Sequence, residues 1–90
     1  MRRFGQVIGL QPEFLEEYVR LHEAVWPGVL ATLAGCHIRN YSIFLYDHTL
    51  FAYFEYHGSD FDADMERRAA DRLTQAWWAL CKPMQRPLVP

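Results

Sequence analysis

The chain has 90 residues, 9 of them basic and 11 acidic, for a net charge of −2. Basic residues scattered along a slightly acidic chain argue against nucleic acid as the main partner. With 51% hydrophobic and 16% aromatic residues, a single domain can bury a core. Surface outweighs volume at this size, and pairing of two copies is a natural remedy.

Residues 3–10 alternate and end at Gln11-Pro12, which predicts a strand. Pro12 then opens a helix with Glu13, Glu16 and Glu17 in its first turns, as a helix start prefers. Phe14, Leu15, Tyr18, Leu21, His22 and Val25 form its apolar stripe. Trp26-Pro27 interrupts that helix, and a second helical piece runs from Gly28 to Leu33 and stops at Gly35. His37 to Tyr46 and Thr49 to Tyr56 read as strands joined into a hairpin by Asp47-His48. Gly58-Ser59-Asp60 breaks the second strand. Asp60 or Asp62 caps a helix to about Ala70, and Asp71 or Thr74 caps another through Cys81, ended by Lys82-Pro83. The order strand, helix, strand, strand, helix lacks one strand of a ferredoxin-like α+β domain. The ending Pro87-Leu88-Val89-Pro90 is too short and proline-rich to supply it.

No run is long and apolar enough to span a bilayer. Arg2 and Arg3 lead into Phe4-Gly5-Gln6, which is no secretory leader. Cys36 and Cys81 lack metal or redox spacing and read as free buried thiols in a reducing cytosol. His37, His48 and His57 form no metal set with His22, so no metal is expected. There is no glycine-rich phosphate loop and no nucleophile elbow. The acids Asp60, Asp62, Asp64 and Glu66 read as a solvated helix start.

The informative residues are aromatic. Tyr18 and His22 sit four apart, one turn of one helix face. His22 lies on the apolar stripe. It is either an acid–base group working near neutral pH or a partly buried histidine bonded to backbone. Tyr18 either orients a ligand hydroxyl or packs in the core with its hydroxyl at the surface. Tyr41 lies mid-strand on the face of Arg39 and Ile43, where it either lines a cleft or simply packs. Trp77 and Trp78 diverge by about 100° on a helix, so one indole can enter the core while the other walls a pocket or joins an interface. Sugars stack on such planes.

The strings Glu17-Tyr18, His22, Trp26-Pro27, Asn40-Tyr41-Ser42-Ile43, Leu50-Phe51-Ala52 and Trp77-Trp78 resemble the L-rhamnose mutarotase family, which includes L-fucose mutarotase-like members. The resemblance runs from Arg3 to about Pro83. It implies a ferredoxin-like domain of the dimeric α+β barrel type, paired through its sheets into a homodimer. It implies cofactor-free interconversion of the α and β anomers of a 6-deoxy-L-hexose, either L-rhamnose or L-fucose. His22 is then the proton donor, expected to protonate the ring oxygen, with Tyr18, Tyr41, Trp77 and Trp78 on the sugar, in a cytoplasmic enzyme. Family members continue to a last strand that this chain is expected to lack, as if truncated. Two other functions fit the same fold: a small cofactor-independent monooxygenase and a non-catalytic sugar-binding or interaction module.

Overall fold

The computed structural model describes residues 1–88. Strand β1 (Arg2–Leu10) is followed by a 3₁₀ turn, Pro12–Phe14, that leads into helix α1 (Leu15–His22). Helix α2 spans Pro27–Gly35, strand β2 Ile38–Tyr46 and strand β3 Thr49–Tyr56. Helices α3 (Phe61–Ala70) and α4 (Arg72–Cys81) follow, then a 3₁₀ turn at Lys82–Met84 and strand β4 (Gln85–Arg86). The strands form one antiparallel sheet in the order β2-β3-β1-β4, the ferredoxin-like arrangement.

The local chemistry explains the helix starts. Pro27 opens α2 with its φ already set and no amide hydrogen to satisfy. The Asp60 carboxylate accepts from the Ala63 amide to cap α3, and Asp71 accepts from the Thr74 amide to cap α4.

Three expectations need correction. First, the fourth strand exists, earlier and shorter than the chain ending suggested. Gln85 and Arg86 pair with Leu10 and Gly9 of β1. The Gln11 amide donates to the Met84 carbonyl at 2.8 Å, and the Gln11 side-chain amide donates to the Pro83 carbonyl at 3.1 Å. Gly9 permits the close approach, because a Cβ there would lie 2.6 Å from the Arg86 carbonyl oxygen. Val89 and Pro90 lie outside the described residues.

Second, Tyr41 does not share a face with Arg39. Arg39 pairs with Glu55 and Ser42 with Tyr53, so β2 carries one extra residue against β3. Asn40 takes the left-handed conformation, φ 53°, within this bulge. The slip turns Tyr41 to the helix side of the sheet, where its ring stacks on Phe54 at 5.4 Å.

Third, Asp64 is buried rather than solvated. Its carboxylate accepts from the Tyr56 hydroxyl and the Arg67 guanidinium, and it bonds His37 Nδ1 at 3.0 Å. These contacts tie α3 to β3 and to the start of β2. The Tyr56 and Arg67 bonds hold the Asp64 carboxyl well below the usual carboxylate range. A depressed carboxyl contributes stability that is fully present above the unfolded pKa of about 3.9 and is lost as pH falls below it. Asp64→Asn should therefore destabilise the fold at neutral pH and flatten its acid-unfolding limb. Circular dichroism from pH 7 to pH 2 checks this; an unchanged limb would remove Asp64 from the acid response.

The core joins sheet and helices through Leu10, Tyr18, Val29, Leu50, Trp77, Cys81 and Met84. Both cysteines are free and buried, as expected. Among the described residues no helix is long and apolar enough to cross a membrane.

Candidate active site

A cleft of about 470 Å³ opens between the helices and the sheet, and all five aromatic and histidine residues singled out above line it. Tyr18 and His22 come from α1, Tyr41 from the bulged β2, and Trp77 and Trp78 from α4. Tyr18 and Trp77 are also core residues, 4% and 6% exposed. The packing that stabilises the domain therefore fixes two cleft walls. The two indoles divide as adjacency on a helix requires. Trp77 points into the core, while Trp78 is half-buried.

His22 is held on three sides. Its ring stacks on Tyr18 with centroids 4.1 Å apart, and it meets the Trp77 indole edge-on at 5.2 Å. Trp77 is held in turn by Trp26 at 5.1 Å. Nδ1 of His22 lies 2.8 Å from the Tyr18 carbonyl oxygen. A carbonyl only accepts, so Nδ1 carries the hydrogen and Nε2 is left with its lone pair in the neutral ring. Burial lowers the His22 pKa below its ordinary 6.5, and the carbonyl bond opposes this in part. The resting imidazole at neutral pH is thus a base. It is backbone-bonded, and it also lines the cleft.

Burial raises the Tyr18 pKa, so its phenol keeps its proton. The Gln85 side-chain amide donates to the Tyr18 hydroxyl oxygen at 3.1 Å. That leaves the phenolic hydrogen for another acceptor. Burial pushes the Cys81 thiol up to about 11. A thiol held protonated is a poor nucleophile, so Cys81 serves as an apolar part of the wall.

Sequence reading missed Gln85 and Arg68. Gln85 was hidden because a two-residue strand carries no alternation to detect. Arg68 of α3 lines the cleft with its guanidinium carbon 5.9 Å from the Tyr41 ring centroid and 5.3 Å from that of Trp78. Its only sequence signal is a basic residue near the end of a helix, which the helix dipole alone explains. The histidines His37, His48 and His57 do not join the cleft. Among the described residues no group of three or more His, Cys, Asp or Glu is placed to hold a metal ion.

A ferredoxin-like domain whose cleft sets flat aromatic walls around one imidazole suits a small polyhydroxylated ligand and proton transfer to it. A family model described as L-rhamnose mutarotase matches residues 3–89. The chain belongs to the L-rhamnose mutarotase family. It is 32% identical over 88 residues to an L-rhamnose mutarotase of Oceanobacillus iheyensis, covering 96% of this chain and 82% of that protein. It is 36% identical over 93 residues to one of Burkholderia ambifaria, covering 90% of this chain and 86% of that protein. A crystal structure of an L-rhamnose mutarotase from Formosa agariphila shares the fold. The TM-score is 0.78 at 22% identity, over 94% of this chain and 80% of that one.

Proposed function

We propose that this protein interconverts the α and β anomers of a 6-deoxy-L-hexose, L-rhamnose first and L-fucose second. Membership of the family, whose matched relatives are L-rhamnose mutarotases, supports the sugar. The observation that carries the mechanism is the orientation of His22, whose Nδ1–H is committed to the Tyr18 carbonyl.

In this reading Nε2 of neutral His22 takes the proton of the anomeric hydroxyl as the bond between C1 and the ring oxygen breaks. The ring oxygen gains a proton relayed by Tyr18, Tyr41 or water, and the open-chain aldehyde results. Rotation about C1–C2 presents the other aldehyde face. The ring hydroxyl attacks it and gives its proton back to the relay. The imidazolium of His22 then returns its proton to O1. This reverses the expectation that His22 protonates the ring oxygen: its neutral ring takes a proton on opening and donates one, to O1, on closing. Trp78 stacks on the sugar and Trp77 contributes its small exposed edge to the wall, while Tyr18 and Tyr41 bond the hydroxyls. General acid–base assistance of this kind supplies about 10²–10⁴-fold, enough for a reaction that water already permits. Exchange spectroscopy on equilibrated L-rhamnose tests the activity. Unchanged rates at added protein would refute it.

Pairing of two copies belongs to the same proposal. On the sheet face away from the helices, Val7, Phe51 and Phe44 are neighbours across β1, β3 and β2. They are 50%, 42% and 62% exposed. An apolar patch of this kind marks an interaction surface. Light scattering should give twice the chain mass of 10.6 kDa, and Phe44→Glu should halve it. A wild-type mass of one chain would refute the homodimer.

A further inference from the structure

Arg68 brings to the cleft a positive charge that a neutral deoxy sugar does not require. Its Nε is buried and has no hydrogen-bond partner among the described residues. Buried donors are almost always paired, so the unpaired Nε marks a guanidinium that no protein acceptor holds at that atom. Arg68 packs against Tyr41 and Trp78 through ring contacts. Among the described residues no Asp or Glu lines the cleft. Lys82, an exposed cleft residue, adds a second cation 4.6 Å from the Trp78 ring. The chain as a whole carries −2, so this excess of positive charge is local to the cleft.

We propose that the cleft also accepts monosaccharides bearing an anionic oxygen substituent, hexuronates above all, and that Arg68 selects them. A guanidinium offers a planar fork of donors that matches a carboxylate, and it stacks on aromatic rings as it does here. The indole walls serve the sugar ring in either case. A cleft of about 470 Å³ holds a hexuronate as readily as a deoxyhexose. The inference rests on reading the cleft as the place of anomer exchange.

The test compares sugars that differ only in the charged group. Anomer exchange is measured by NMR on D-glucuronate and D-galacturonate beside their neutral parents D-glucose and D-galactose, with L-rhamnose as reference. D-Glucose 6-phosphate separates a phosphate ester from a carboxylate. At least one uronate should exceed its neutral parent in kcat/KM, and raised salt should narrow the gap. Arg68→Gln should lower the ratio of uronate to L-rhamnose kcat/KM by about 10–100-fold, the worth of a charge-assisted hydrogen bond. Arg68→Lys, which keeps the charge without the fork, should fall between. Preference for the phosphate alone would overturn the carboxylate assignment. A ratio unchanged in both variants, or no uronate preferred to its parent, would overturn the proposal while leaving L-rhamnose activity intact. Failure on L-rhamnose with uronates accelerated would instead overturn the deoxy-sugar reading. Failure on every sugar would overturn both.

Discussion

His22→Ala should lose about 10²-fold or more of the catalysed exchange rate while remaining folded. The ring contributes only part of its surface to the core, and the residues it touches, Tyr18 and Trp77, are held independently by Gln85 and Trp26. The loss should appear chiefly in kcat, because removing a proton carrier affects the transition state more than the bound sugar. The pH profile gives a second readout. Burial lowers the His22 pKa, so the basic form persists below pH 6.5. The acid limb of wild-type kcat/KM should therefore lie below pH 6.5 and vanish in His22→Ala. Wild-type rates in a folded variant would remove His22 from the mechanism. An acid limb at or above pH 6.5 would contradict the neutral resting state.

Trp77→Ala should cost about 3–5 kcal/mol of stability, the usual range for truncating a buried aromatic ring. Trp77 is 6% exposed and packs edge-on against both His22 and Trp26. Domains are stable by only about 5–15 kcal/mol. In a domain of this length each kcal/mol moves the melting temperature by roughly 4–8 °C, so the variant should be close to unfolding at 37 °C. Trp78→Ala is the informative contrast. Trp78 is half-buried, and its ring is braced by Arg68 and Lys82. That variant should melt near the wild type and show a raised KM for sugar. Thermal melts followed by circular dichroism decide this. Equal losses of stability in the two variants would show that both indoles serve the core.

The sequence already contains most of the frame, because its signals are local. Proline at the start of α2, the aspartate caps of α3 and α4, and the Asp47-His48 turn each act within a few residues. The five cleft residues were legible for two reasons. Tyr18 and His22 follow helical spacing, and the set as a whole resembles a known family. What stayed hidden depends on distant partners. Strand β4 is only two residues long and exists because β1 offers an edge and Gly9 leaves room. The bulge at Asn40 changes the face of Tyr41, and no alternation pattern reveals it. Asp64 looks like any acid in a first helical turn until Tyr56, His37 and Arg67 gather around it. Gln85 and Arg68 reach the cleft only through tertiary packing. Gln85 also gives β4 a role in the cleft, since it orients the Tyr18 hydroxyl.

Mutarotase activity is tested most directly by the rate of α to β exchange of L-rhamnose, measured by saturation-transfer NMR with and without the purified protein. Exchange should accelerate in proportion to wild-type protein and return nearly to the spontaneous rate with His22→Ala. Exchange that stays at the spontaneous rate with folded wild-type protein would contradict that activity.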